Sequence, residues 1–193
     1  MRHVLASASP RRKAILETLG LTFEVVVSEV DEPALVARST ERAPDALAST
    51  LALAKARDVA AREQGFVLGA DTIVVVDGAI LNKPADDAEA ASMLGRLSGR
   101  WHDVITGVAL VWESQTECLS VTTRVRFREL SVDRIQRYVA TGEGRDKAGS
   151  YAVQGIGSGL VTQIEGSWSN VVGLPAAETV DLLERAGALT EWP

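Results

Sequence analysis

The sequence predicts an α/β fold on a mixed sheet. Three observations carry this: apolar β-rich runs alternate with helical patterns from end to end, Asp77-Gly78 between two apolar runs signals a tight hairpin, and Leu119 to Phe127 alternates apolar and polar residues as a half-exposed antiparallel strand does. The elements follow in order. His3 to Ala6 reads as a short buried strand, and Ser9 with Pro10 supplies an N-cap and a first-turn proline for a helix through Ile15, Leu16 and Leu19 that stops at Gly20. Thr22 to Val27 is strand-like, Ser28 to Pro33 an acidic loop, and Asp45 to Glu63 an alanine-rich helix that turns Leu47, Leu51, Ala54 and Val59 inward and carries Lys55. Phe66 to Ala70 and Thr72 to Val76 are β-rich runs interrupted by Asp71, and the hairpin leads into Ile80 and Leu81. A helix from Asp87, capped by that aspartate, reaches Leu97, and Val104 to Trp112 precedes the alternating strand. Ser131 caps a helix with Ile135, Tyr138 and Val139, a glycine-rich stretch runs from Gly142 to Gly166, and a last helix from Pro175 to Ala186 closes at Gly187. No linker, repeat or low-complexity stretch divides these elements, so residues 1–193 are expected to form one domain, in two lobes at most.

Composition narrows the function. With 193 residues and 46% hydrophobic side chains the chain can fill a core, and a net charge of -6 argues against a surface that coats nucleic acid or membrane. A single cysteine, Cys118, and two histidines exclude a disulfide framework and a structural zinc site. No apolar window is long enough to span a bilayer, and the cytoplasm is the expected compartment. There is no GxxxxGK[ST] and no GxSxG, and Gly155, Gly157 and Gly159 give only GxGxG, without the final glycine or following helix of a dinucleotide fingerprint.

Three groups of residues could carry chemistry. Ser7 to Arg12, SASPRR, lies where a strand meets a helix N-terminus, so backbone N–H groups, the helix dipole and the guanidinium forks of Arg11 and Arg12 suit an anion such as phosphate. A plain capped helix is the bland alternative, although basic residues oppose the dipole in a first turn. Lysines are scarce, four against sixteen arginines, and Lys13, Lys55, Lys83 and Lys147 each offer a compact point charge that a guanidinium does not replace. Any one of them alone reads as a snorkelling surface residue, and only the combination favours a phosphate role. Asp71, flanked by apolar runs, must meet a cation, a metal or a donor network, because an unpaired ionised carboxylate in a sheet costs several kcal/mol. The bland alternative is a carboxylate that caps a loop at a strand end. Glu29, Asp31 and Glu32 in SEVDE could join Asp71 around a hard divalent cation, or simply form a solvated acidic loop.

The segments LASASPRRK, SEVDE, LALAKA, LGADTIVVVDGAILNKP, LGRLSGRWHDVITGVAL, DKAGSYAVQGIGSGLV and IEGSWSNVVGLPAAETVDLL together closely resemble the Maf family of nucleoside triphosphate pyrophosphatases over nearly the whole chain. The resemblance implies an inosine-triphosphatase-like fold, an elongated twisted mixed sheet flanked by helices, with a central cleft between two lobes. It implies hydrolysis of a nucleoside triphosphate between its α- and β-phosphates, with Mg2+, Mn2+ or Co2+ as cofactor. Asp71 would be the catalytic aspartate, as base or as metal ligand. Glu32 would assist at the metal, and Ser7, Arg12, Lys55 and Lys83 would grip the phosphates. Arg11, Thr72 and Gln154 match the positions that set specificity, and that set looks like the dTTP/UTP subfamily. A glutamine amide pairs with the O4/N3 edge of thymine or uracil through one donor and one acceptor. Gly144 and Arg145 replace a common proline and apolar residue, and Trp168 a common tyrosine; these departures bear on fine specificity, as would a preference for modified pyrimidine triphosphates. A homodimer is implied, with neither nucleic acid nor membrane as partner. The alternative is a nucleotide-sensing regulator of septum formation and cell division that does not depend on turnover.

Overall fold

The computed structural model describes residues 1–39, 41 and 43–192. In chain order the elements are β1 (His3–Ala6), α1 (Pro10–Thr18), β2 (Glu24–Val25), α2 (Glu32–Arg38), α3 (Pro44–Ala60), β3 (Phe66–Val76), β4 (Ala79–Leu81), α4 (Asp87–Leu97), β5 (Trp101–Trp112), β6 (Gln115–Phe127), α5 (Val132–Ala140), β7 (Val161–Glu165), α6 (Trp168–Val172) and α7 (Ala176–Arg185). Two 3-10 turns, Ala148–Ser150 and Gly155–Leu160, lie between α5 and β7. The seven strands form one mixed sheet in the order β2-β1-β3-β5-β6-β7, with β4 paired to β3. β1 runs parallel to both β2 and β3, while β3/β4 and β6/β7 are antiparallel.

The chain clusters into two compact units, residues 1–71, 106–121 and 173–193 in the first and 72–105 and 122–172 in the second. In the first unit strand alternation sorts side chains onto two faces. Leu5, Leu68, Ala70, Val108 and Leu110 pack with Leu16 of α1 and Leu182 and Leu183 of α7. Val4, Ala6, Val67, Ala109 and Val111 pack with Ala52, Ala56 and Val59 of α3. The α3 face is built from small residues because the helix lies against the backbone of the sheet. A Cβ on Gly69 would come within 2.3 Å of the Ala52 carbonyl oxygen, and one on Gly107 within 2.3 Å of that of Ala48. Only glycine permits that approach. In the second unit Leu94 and Leu97 of α4 and Ile135 and Tyr138 of α5 are buried, and the two helices pack together.

Most predicted elements form, with informative differences. Asp71 does not interrupt β3, which runs unbroken for 11 residues, because a partner for its carboxylate lies on α3. The segment expected as loop after Ser28 contains the start of α2: the Asp31 side chain accepts from the Ala34 amide, and Pro33 occupies the first turn, where no N–H is required. The strand expected over Thr22 to Val27 is reduced to the two residues that the short β1 can pair, Glu24 and Val25. Asp86 rather than Asp87 caps α4, accepting from the Glu89 amide, while the Glu89 carboxylate accepts from the Ala85 amide just before the cap. Ala54 is only half-buried, and Ala48, Ala52 and Ala56 take the inner face. β5 begins at Trp101 and β6 at Gln115, both earlier than predicted, while β7 and α6 carried no periodicity long enough to read. The Asp77-Gly78 turn forms as predicted, with φ of 51° and 73°, the left-handed pair of a type I′ hairpin.

Candidate active site

The site is built at the end of β1 and the middle of β3, within the first unit. The parallel register sets Ala6 beside Gly69, so Ser7, the next residue, leaves the sheet near Asp71. Alternation along β3 turns Val67, Gly69 and Asp71 toward α3, and the closeness allowed at Gly69 lets Lys55, one residue before Ala56, reach the carboxylate. Lys55 Nζ donates to Asp71 Oδ1 at 2.6 Å, and Glu32 Oε1 at the start of α2 lies 2.9 Å from the same ammonium. The Lys55 and Asp71 side chains are about a tenth exposed, at 11% and 10%, whereas Glu32 keeps 41%. Two carboxylates therefore share one cation, and the less buried of them faces water.

Arg12 completes the cluster. It lies in the first turn of α1 with its guanidinium buried, Nε donating to the Gly173 carbonyl at 2.8 Å and Nη1 to Ser7 Oγ at 3.0 Å. Burial pushes the guanidinium below its ordinary value; Asp71 and Glu32 oppose that shift and Arg11 adds to it. Even a lowered arginine stays charged at neutral pH. Ser7 Oγ also accepts from the Ser9 amide at 3.2 Å, which fixes the loop entering the helix. Ser9 sits at the N-cap but makes no side-chain capping bond, and the first turn holds no acidic residue. The positive end of α1, the buried Arg12 guanidinium and a buried serine thus lie beside the Lys55 cluster, as an anion-binding corner requires. Breaking a buried ion pair costs roughly 3–5 kcal/mol, yet well-packed apolar residues would stabilise a fold equally well, so stability alone does not explain Lys55–Asp71.

Asp71 and Glu32 are the carboxylates that would hold a divalent cation. Two carboxylate oxygens within reach of one ammonium, one of them on a half-open side chain, match the preference of magnesium for one or two protein carboxylates with its other positions left to phosphate and water. No group of three or more His, Cys, Asp and Glu forms a ready-made cage among the described residues. The donor set fits an ion shared with a substrate and not one held by protein alone.

Three further predicted residues, Thr72, Lys83 and Gln154, belong to the second unit. Thr72 follows Asp71 in β3 and points to the opposite face, Lys83 is exposed on the loop after β4, and Gln154 is exposed at the start of the second 3-10 turn. Two of the other lysines have local partners, Lys13 with Glu17 at 3.5 Å and Lys147 with the Glu143 carbonyl at 2.6 Å. Glu29 lies near Arg62 at 4.0 Å, and Asp31 serves as the cap of α2. The sequence reading missed Gly69 and Gly107, which set the distance between α3 and the sheet. Ala48, Ala52 and Ala56, four residues apart, were the signal.

The model of the Maf-like protein family matches residues 2–186. A dTTP/UTP pyrophosphatase of Symbiobacterium thermophilum is 54% identical over 185 residues, which span 95% of this chain and 93% of that protein. One from Myxococcus xanthus is 50% identical over 190 residues, spanning 98% and 94% of the two chains. One from Halalkalibacterium halodurans is 46% identical over 190 residues, 98% of each. With the family pattern matched almost end to end and these relatives aligned over nearly their whole length, the chain belongs to the Maf family.

Proposed function

We propose that this chain is a nucleoside triphosphate pyrophosphatase that hydrolyses dTTP and UTP to the monophosphate and pyrophosphate. The observation that carries the reading is the shared ammonium: Lys55 bonded to Asp71 and Glu32, beside a buried Arg12 at a helix N-terminus. The names and near full-length identities of the relatives support the same activity. In-line attack of water on the α-phosphorus needs a proton acceptor, fixed geometry and positive charge on the departing pyrophosphate. Asp71 is the carboxylate that takes the proton of the attacking water or holds the metal. Ser7, Arg12 and Lys55 bind phosphate oxygens, and Lys83 adds a fourth grip. A divalent cation held by Asp71 and Glu32 would supply the charge that a triphosphate demands, because Lys55 and Arg12 are already balanced by those two carboxylates. Arg11, Thr72 and Gln154 select the pyrimidine, Gln154 by pairing its amide with the O4/N3 edge.

In the same reading the enzyme acts as a cytoplasmic homodimer on free nucleotides, and the net charge of -6 argues against nucleic acid as a partner. No helix among the described residues is long and apolar enough to cross a membrane. The test is product analysis over a panel of triphosphates with Mg2+, Mn2+ or Co2+. Monophosphate plus pyrophosphate from dTTP and UTP, lost in a folded Asp71→Asn variant, is the expected result. Diphosphate plus phosphate would overturn the bond assignment, and tight nucleotide binding with no turnover of any triphosphate would make the protein a sensor.

A further inference from the structure

Glu143, on the turn after α5, lies outside every group assigned so far, yet its carboxylate organises the segment that begins with Gln154. Oε1 accepts from the Ile156 amide at 2.8 Å and Oε2 from the Gly157 amide at 2.8 Å. Tyr138 Oη donates to Oε2 at 2.8 Å and itself accepts from the Ala152 amide at 3.1 Å. Lys147 Nζ holds the Glu143 carbonyl at 2.6 Å. Burial pushes the Glu143 carboxyl up, but the Tyr138 hydroxyl, the two amides and Lys147 outweigh it and leave the group below its ordinary value, so it is ionised at neutral pH. The glycines of the turn are there to admit this carboxylate. Gly155 has φ of 68°, and a Cβ there would stand 2.2 Å from Glu143 Oε1; a Cβ on Gly157 would stand 2.2 Å from the Ala152 carbonyl oxygen and 2.7 Å from Tyr138 Oη. The GxGxG that fails as a dinucleotide fingerprint is a cradle for a side-chain carboxylate. Charge-assisted bonds to backbone amides are among the stronger hydrogen bonds, and two from one carboxylate fix the path of the chain as well as its depth.

We propose that Glu143 is the positioning residue of the base-reading turn: by binding the Ile156 and Gly157 amides it fixes the backbone that presents Gln154 to the nucleobase. This rests on the reading of Gln154 as the residue that selects the pyrimidine. A glutamine discriminates only when its amide is held in one place and one orientation; a loose one pairs equally well with either arrangement of donor and acceptor. Glu143 is the anchor that keeps Gln154 from that freedom, although it touches no substrate.

The test compares kcat and KM for UTP and CTP, which differ at the base edge in question, in four variants: Gln154→Ala, Glu143→Gln, their double, and Tyr138→Phe. Glutamine at 143 turns one acceptor into a donor facing a backbone N–H or the tyrosine hydroxyl. Glu143→Gln is expected to lower the UTP-to-CTP ratio of kcat/KM about tenfold through KM, with kcat for both nucleotides held within about twofold. The double variant should do no worse than Gln154→Ala, because both act through one contact. Tyr138→Phe, which keeps the carboxylate and removes one of its donors, should shift the ratio in the same direction by less; it carries the test if Glu143→Gln does not fold. A ratio unchanged in Glu143→Gln and Tyr138→Phe but collapsed in Gln154→Ala overturns the positioning role and leaves the base-reading role standing. An equal fall in kcat for both nucleotides with an additive double variant reduces Glu143 to a structural residue. A ratio unchanged in Gln154→Ala ends both readings together.

Discussion

Gly69→Ala adds one methyl group to the protein and puts the whole site at risk. The new Cβ would lie 2.3 Å from the Ala52 carbonyl oxygen, 2.9 Å from the Ala56 amide nitrogen and 3.0 Å from the Ala56 Cβ, all inside ordinary contact and two of them against backbone that has no rotamer to escape through. Relief requires α3 to back away from β3 by about 1 Å, and overpacking of that kind costs about 1–3 kcal/mol. For a chain of this size the loss corresponds to a drop in Tm of roughly 3–10 °C. Lys55 travels with the helix. Its 2.6 Å bond to Asp71 would lengthen by about the same amount, and a misplacement of about 1 Å at a reacting centre costs on the order of 100-fold in rate. The assay is pyrophosphate release from UTP alongside thermal and urea unfolding. Gly95→Ala is the control: it lies in α4 with no atom within 4 Å of its new Cβ, and should stabilise the protein by about 0.5–1 kcal/mol without touching turnover. Wild-type turnover and Tm in Gly69→Ala would refute the argument that the close approach of α3 positions the site.

Two further predictions concern charge. Lys55→Met leaves Asp71 without its cation and should cost about 3–5 kcal/mol in urea unfolding, while the double variant Lys55→Met/Asp71→Asn should recover most of that stability but no activity. Absence of recovery in the double variant would mean that the lysine acts through packing. In the second unit His102 is buried with Nε2 2.8 Å from Tyr151 Oη, and Nδ1 has no hydrogen-bond partner among the described residues. Burial pushes its pKa down to about 4 from an ordinary 6.5. Between those values the unfolded chain binds a proton that the folded one refuses, so stability is complete above pH 6.5 and falls as the pH drops toward 4, by about 3 kcal/mol in total. His102→Phe should flatten that part of the urea-stability profile relative to wild type. Equal slopes in the two proteins between pH 4 and 6.5 would show that His102 is protonated in the fold.

The Lys55–Asp71 pair is charged and largely buried, and the small residues of α3 let the helix lie close enough to the sheet to keep it so. A helix of alanines packs with little apolar area per residue, and its place is secured by backbone proximity at Gly69 and Gly107 and not by large side chains. The opposite face of the sheet supplies bulk instead, through Leu5, Leu68, Leu110, Leu182 and Leu183. Rigidity on one face and mass on the other hold the carboxylate in place.

Much of the molecule was legible in the residues alone. Strong periodicity and local chemistry located α1, α3, α5 and α7, the Asp77-Gly78 hairpin and the alternating β6, because those signals act within a few residues and owe nothing to distant partners. The buried acid was legible too: an aspartate within a run of β-formers must have a partner somewhere. Which partner it has was not. Lys55 meets Asp71 through a helix–sheet distance set by glycines at 69 and 107, and Glu32 joins them from a helix whose Asp-Glu-Pro start reads locally as a loop. The anchoring of residues 155–157 by Glu143 depends on a side chain 12 or more residues away, with no periodicity to announce it. Local order follows from φ/ψ preference and hydrophobic period, which a chain carries in its sequence. The meeting of charges follows from how closely two backbones can approach, and only packing in three dimensions decides that.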